Sequence, residues 1–373
     1  MALASALPLI LATLTALAAP GACFAEDPAP APVPTPTCRE TLDGARARLA
    51  ENLFGLQVSA FGDALSGYSD EGARNLRLDA GEVDVAGDLA SKVQLGLAVV
   101  NTGELTKLTV GYLDYHPFGE GLAPRGQLSV EKGFHVQAGR FDVPFGNDWQ
   151  FYASKDSVSI SRPLTTAEIM GGGYNDAGVR VLGNNGTLNF NTYLLQGFEP
   201  GRLVGCRIGF TPFSDPFSLK GTREPKVAEV GLPWFYDGDS RWHKRQSGLA
   251  LDADGRVGPY YVRAEYVTRT QQEGPGAGTP ATSRGWHLTQ EFALPELLPW
   301  PTTVFARGER ANVADGDPGG GHDTRAALGL ATTFAGVVQL KLEGDHYLAA
   351  APATLAARGY HSFQWYAQLV VVL

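Results

Sequence analysis

The segment Gly359 to Leu373 alternates with almost no break. Phe363, Trp365, Ala367, Leu369, Val371 and Leu373 fall on one face of an extended chain, and Ser362, Gln364, Tyr366 and Gln368 on the other. Side chains on a strand repeat with period two, so this is a strand with one apolar and one polar face. The alternation lasts about ten residues, the length a tilted strand needs to cross a bilayer. A soluble strand must bury its apolar face under a second layer. A membrane strand can turn that face to lipid and its polar face to water.

The pattern recurs along the chain. Val93, Leu95, Leu97 and Val99 oppose Lys92, Gln94, Gly96 and Ala98; Tyr260, Val262, Ala264 and Tyr266 oppose Tyr261, Arg263, Glu265 and Val267; Val338, Leu340 and Leu342 oppose Gln339, Lys341 and Glu343. About sixteen such segments are predicted, with 14 or 18 as the alternatives, near 53–63, 73–86, 89–101, 103–116, 133–143, 176–183, 186–197, 202–211, 226–236, 245–254, 258–270, 283–293, 302–312, 322–334, 336–347 and 359–373, an even number as bacterial barrels require. The expected fold is an all-β transmembrane antiparallel β-barrel over 53–373. Asn184-Asn185-Gly186, Asp254-Gly255-Arg256 and Ala335-Gly336 are predicted as its tight turns. Gln271–Thr282, Ala314–Asp323 and Ala349–Arg358 are predicted as longer links at the other rim, while 117–132 and 212–225 are long where short turns are expected.

Composition excludes other classes. With 46 Gly, 18% charged residues and 44% hydrophobic residues, the chain is too polar for a bundle of membrane helices. A net charge of −9 and the lack of any Lys/Arg-rich run argue against a nucleic-acid partner. Met1–Ala25 is an uncharged apolar leader with small residues around Ala25, so it is expected to be a signal peptide cut there. Pro28, Pro30, Pro32, Pro34 and Pro36 make 26–37 a stiff linker. Leu42, Arg46, Leu49 and Leu53 predict a short helix within 38–52. Cys38 and Cys206 remain after the leader, and the sequence leaves open whether they pair.

Pro144 to Asn175, after the fifth strand, is the longest irregular segment. It carries Trp149, Phe151, Tyr152, Lys155, Arg162 and Gly171-Gly172-Gly173. Long loops in compact folds are functional or disordered, and this one is too rich in aromatics for disorder. It is expected to fold into the lumen, with an ordered cap over the rim or a subunit contact as the alternative.

Ala138-Gly139-Arg140-Phe141-Asp142-Val143-Pro144-Phe145-Gly146, then Arg162-Pro163-Leu164 and Tyr174-Asn175-Asp176-Ala177-Gly178-Val179-Arg180, resembles the phosphate-selective porin O and P superfamily of Gram-negative outer membranes. Leu113-Asp114-Tyr115 and Arg263-Ala264-Glu265-Tyr266 are similar to the same family's strands. The resemblance implies a barrel of 16 or 18 strands, often trimeric, that passes small solutes. It differs from the family's phosphate-selective members in lacking a ladder of inward basic residues. Arg77, Lys92, Arg180, Arg207, Arg263, Arg269, Arg307 and Lys341 are matched by Asp79, Glu229, Asp252, Glu265, Glu291, Glu309, Glu343 and Asp345. Members of the family usually end in Phe, and this chain ends in Leu373.

The expected function is therefore passive diffusion of small hydrophilic solutes or ions through a wet lumen narrowed by loop 144–175, in the outer membrane and in contact with its lipid and lipopolysaccharide. Arg140, Lys155, Arg162, Arg180, Arg207, Arg263, Glu265, Lys341 and Glu343 are the candidates for the constriction and pore lining. Arg140 shares parity with Val136 and Ala138, which would place it on the outer face. No catalytic residue, cofactor or metal is expected: the histidines show no His-x-x-x-His spacing, and Asp315-Gly316-Asp317 lacks a calcium-loop pattern. The rival readings are a surface hydrolase in a barrel and a closed structural or adhesive barrel.

Overall fold

The computed structural model describes residues 44, 56–69, 72–73, 76–102, 105–118, 132–143, 145–146, 153–170, 175–185, 188–196, 203–210, 235–237, 245–272, 281–294, 299–314, 321–350 and 363–372. The leader, the Pro-rich linker and all of the expected helix but Gly44 lie outside them, as do Asp315 to Asp317 and the link 212–225.

The described strands are β1 (Gln57–Ser69), β2 (Gly72–Ala73), β3 (Arg77–Ala90), β4 (Val93–Asn101), β5 (Thr106–Phe118), β6 (Gly133–Asp142), β7 (Asn175–Asn184), β8 (Leu188–Leu195) and β9 (Leu203–Phe210). They continue as β10 (Phe235–Asp237), β11 (Arg245–Val257), β12 (Tyr260–Gln272), β13 (Ala281–Ala293), β14 (Thr302–Val313), β15 (Gly321–Phe334), β16 (Val338–Ala349) and β17 (Phe363–Val372). All belong to one sheet. β2 and β3 both face β1, Ala73 opposite Tyr68 and Arg77 opposite Leu65.

Neighbours in sequence pair antiparallel throughout, and the pairings lead back to their start. β1 pairs with β3 on one side and with β17 on the other, from Phe61↔Val372 to Ser69↔Gln364. The thinnest part is β10, which meets β9 and β11 through two residue pairs each. Of the segment expected at 226–236, only Phe235 and Tyr236 are described.

Period two becomes a two-faced wall. On β13, Ser283, His287, Thr289 and Glu291 are buried, while Arg284, Trp286, Leu288 and Phe292 are exposed. Large apolar side chains are exposed elsewhere too: Leu113 and Tyr115 on β5, Leu249 and Leu251 on β11, Leu342 and Leu348 on β16, Trp365 and Leu369 on β17. Polar side chains are thus inside and hydrocarbon outside, the reverse of a soluble core. Outward aromatics pair at two levels, Tyr260 with Phe292 and Tyr266 with Trp286, roughly 20 Å apart along the strands.

The β15–β16 turn sits at Ala335 (φ 48) and Gly336 (φ 72), as expected from the sequence, with both residues in the left-handed region that a two-residue hairpin needs. The turn expected at Asp254-Gly255-Arg256 is instead part of β11. The chain reverses at Gly258 (φ 56) and Pro259, and Val257 pairs with Tyr260. Proline has no N–H for the ladder and Gly258 accepts positive φ, so the pair outcompetes the earlier Asp-Gly.

Candidate functional site

Residues 153–170 fold against the inner wall. Phe145, Leu164 and Ile169 pack with inward-facing side chains, among them Phe141, Tyr112, Tyr193, Val267 and Tyr347. Leu164 and Ile169 are fully buried, and burying such a side chain stabilises by roughly 1.5–3 kcal/mol. The loop therefore has its own apolar core within a polar barrel. At its start Gly146 has φ +66, and a Cβ there would lie 2.4 Å from Glu265 Oε2 on β12, so only glycine passes this point unstrained.

Polar anchors fix the rest. Glu343 on β16 accepts bonds from the Ile160 and Ser161 amides and from the Ser161 hydroxyl. Glu309 on β14 accepts from the Leu164 amide at 2.6 Å. Arg307 donates to the Ser161 carbonyl at 3.1 Å, and Arg325 on β15 donates to the Arg162 carbonyl. Lys341 donates to the Ser154 carbonyl and Gln339 to the Lys155 carbonyl. One wide helical turn, Thr165–Ile169, sits against β12, β13 and β14; Thr165 Oγ1 is 3.0 Å from His287 Nδ1, and Arg269 donates to the Ile169 carbonyl at 2.8 Å.

The anchoring charges also hold one another. Glu309 Oε1 lies 2.9 Å from Arg307 and 2.7 Å from Arg325, whose second nitrogen reaches Asp345 at 2.9 Å; Arg307 lies 3.4 Å from Glu343. Charges this buried cost several kcal/mol each to desolvate, and they persist because each is paired and hydrogen-bonded.

Opposite the anchors, an inner space of ≈ 610 Å³ remains between the loop and strands β1, β3, β4 and β5. The loop presents Ser154, Ser157, Ser159, Ser161 and Arg162 to it; the wall presents Asp63, Arg77, Asp79, Glu82, Lys107 and Thr109. A bulge shapes that wall. The register slips between Gly62 and Ala64, Asp63 Oδ1 captures the Ala80 amide at 2.7 Å, and Arg77 pairs with Asp79 at 3.0 Å.

The expected lining residues divide into groups. Lys155 and Arg162 lie in the loop; Lys155 pairs with Asp156 at 3.0 Å, and only Arg162 borders the inner space. Arg180 is inward and buried, donating to Gln137 at 2.6 Å and stacking over Phe141 at 4.3 Å. Arg263 pairs with Glu291 at 2.8 Å, and Glu265 lies 3.9 Å from His287. Arg263, Glu265, Lys341 and Glu343 are all buried, the last two against the loop. Arg207 stands opposite Asn191 in the β8–β9 ladder. Arg140 is not a lumen residue. It pairs with Gly111 and Ala177, in step with outward Leu113, Ala138 and Val179.

Sequence reasoning missed Asp63 and Glu82 as wall residues and Arg325 as an anchor, although the alternation Glu82-Val83-Asp84-Val85 carries the signal. It also missed a three-residue cluster, Asp114 and His116 on β5 with His135 on β6, all buried. Ligand spacing within one segment does not reveal it, because the cluster forms between two strands.

No family model matches the chain, and neither does any curated protein sequence. Solved structures do match. The anion-selective porin from Comamonas acidovorans aligns with TM-score 0.58 at 11% identity over 85% of this chain and 98% of that one. OmpF of Salmonella typhi, solved with daunomycin, gives 0.59 at 8% identity over 85% and 97%, and the channel DcaP of Acinetobacter baumannii gives 0.53 at 11% over 85% and 97%. A trimer form of the Vibrio cholerae outer-membrane protein OmpT gives 0.55 at 9% over 85% and 99%. At such identities the likeness is one of fold: this chain has the antiparallel β-barrel architecture of outer-membrane porins.

Proposed function

We propose that this protein is a non-enzymatic outer-membrane channel for small hydrophilic solutes or ions, narrowed by loop 144–175. The observation that carries this reading is the loop itself: residues 153–170 are bonded to the inner wall from β12 to β16 and leave a polar space on the β1–β5 side. Serine hydroxyls face carboxylates and cations across that space, a lining that exchanges bonds with a hydrated solute without trapping it. The outward apolar face supports a lipid environment, reached after cleavage of the leader near Ala25. The trimer form among the neighbours supports a homotrimer here.

The test is planar-bilayer conductance of the refolded mature protein, with and without residues 155–160. Stable steps that grow in the deletion support the channel. No conductance at all, or steps of the same size, would overturn the reading.

A further inference from the structure

We propose that Asp114, His116 and His135 form a binding site for a divalent transition-metal ion of the zinc class, held inside the barrel wall between β5 and β6. His116 Nδ1 and His135 Nδ1 lie 3.1 and 2.9 Å from the same oxygen, Asp114 Oδ2, and the two rings are 5.8 Å apart between centroids. Each residue offers one ligand atom, and the three atoms lie within 4.8 Å of one another. For metal–ligand bonds of about 2.0–2.1 Å, tetrahedral donors stand about 3.3 Å apart, close to the two nitrogen–oxygen distances.

One further observation points to a ligand. Asp114 Oδ1 is buried and has no hydrogen-bond partner. A carboxylate only accepts, so both imidazoles spend their single N–H on one oxygen while the second oxygen is idle. Unmatched buried polar atoms are rare in folded proteins. A cation shared by both Nδ1 atoms and the carboxylate uses all three donor atoms, each neutral ring then carrying its one proton on Nε2 instead of Nδ1.

The backbone prepares the place. Pro117 has no N–H to give, and the β5–β6 ladder slips between Tyr115 and Phe118. The three side chains meet across this interruption, so a bound ion would tie the strands where the ladder fails. Two imidazoles and one carboxylate suit Zn²⁺ and its neighbours, with water completing the shell.

The experiment uses tag-free mature protein refolded in detergent. Zn²⁺ binding is measured by equilibrium dialysis with metal analysis, for wild type and for the folded His116→Asn, His135→Asn and Asp114→Asn variants. Co²⁺ absorption on the unsubstituted protein reports geometry. The expected result is one Zn²⁺ per chain, affinity at least tenfold weaker in each variant, and the intense visible bands of low-coordinate Co²⁺. Stoichiometric binding that survives in the His116→Asn/His135→Asn double variant overturns the site. So does a wild type that binds no Zn²⁺. If the variants do not fold, a Co²⁺ spectrum that stays that of the six-coordinate aqua ion overturns it alone.

Discussion

Ser161 and Glu343 meet across the barrel: the Ser161 amide donates to Glu343 Oε2 at 3.0 Å, although 182 positions separate them in the chain. The same carboxylate accepts from the Ile160 amide and the Ser161 hydroxyl and faces Arg307. One acid on the wall therefore fixes the turn of the loop that faces the open space.

Glu343→Gln removes the charge while keeping the shape. It leaves Arg307 with one buried partner fewer and weakens the donors around Ser161. Breaking a buried pair from one side costs about 3–5 kcal/mol. The heat-modifiability midpoint should fall, and single-channel records should become noisier with larger steps. Unchanged step size and midpoint would show that the loop is held without Glu343.

Gly146→Ala tests the start of the loop. The substitution meets both a positive φ of +66 and the Glu265 carboxylate at 2.4 Å. Strain of this kind costs about 1–3 kcal/mol. Gly308→Ala is the control, because a Cβ there meets nothing within 4 Å. Thermal unfolding should separate the two variants.

Arg162→Glu and Arg140→Glu distinguish the lumen from the outer face. Arg162 borders the inner space, and Arg140 points outward. Reversal potentials in a salt gradient should shift toward cations for Arg162→Glu and stay near wild type for Arg140→Glu. Glu82→Lys, on the facing wall, should shift them toward anions.

Leu369→Arg places a charge on the outward face of β17. At mid-membrane depth this costs about 2–4 kcal/mol in a barrel. Refolding yield into vesicles should drop, with a smaller effect in detergent. Equal yields in both would argue that this face does not meet lipid.

The barrel was legible because each strand reports its own two faces. Trp365, Leu369 and Val371 alternate with Gln364 and Gln368 whatever their neighbours are, and the same holds for β4, β12 and β16. The Ala335-Gly336 turn was legible because local backbone chemistry decides it. Asp254-Gly255 misled because Gly258-Pro259, four residues on, competes with it, and local preference alone does not rank the two.

The site was only partly legible. The length and aromatic content of 144–175 set the loop apart, yet the place of each charge depends on pairing. Period two gave Lys341 and Glu343 an inward face. It did not say that Ser154 and Ser161 would cover them. The cluster of Asp114, His116 and His135 needed the β5–β6 register, which slips at Pro117 and has no single-strand signature. By itself, the sequence determined the faces of the strands, the sense of the wall and the existence of a long loop, since these follow from side-chain alternation and backbone preference within a few residues. The tertiary structure alone decided where the loop docks, which charges it desolvates and which ligands converge, because those contacts join residues more than a hundred positions apart or on different strands.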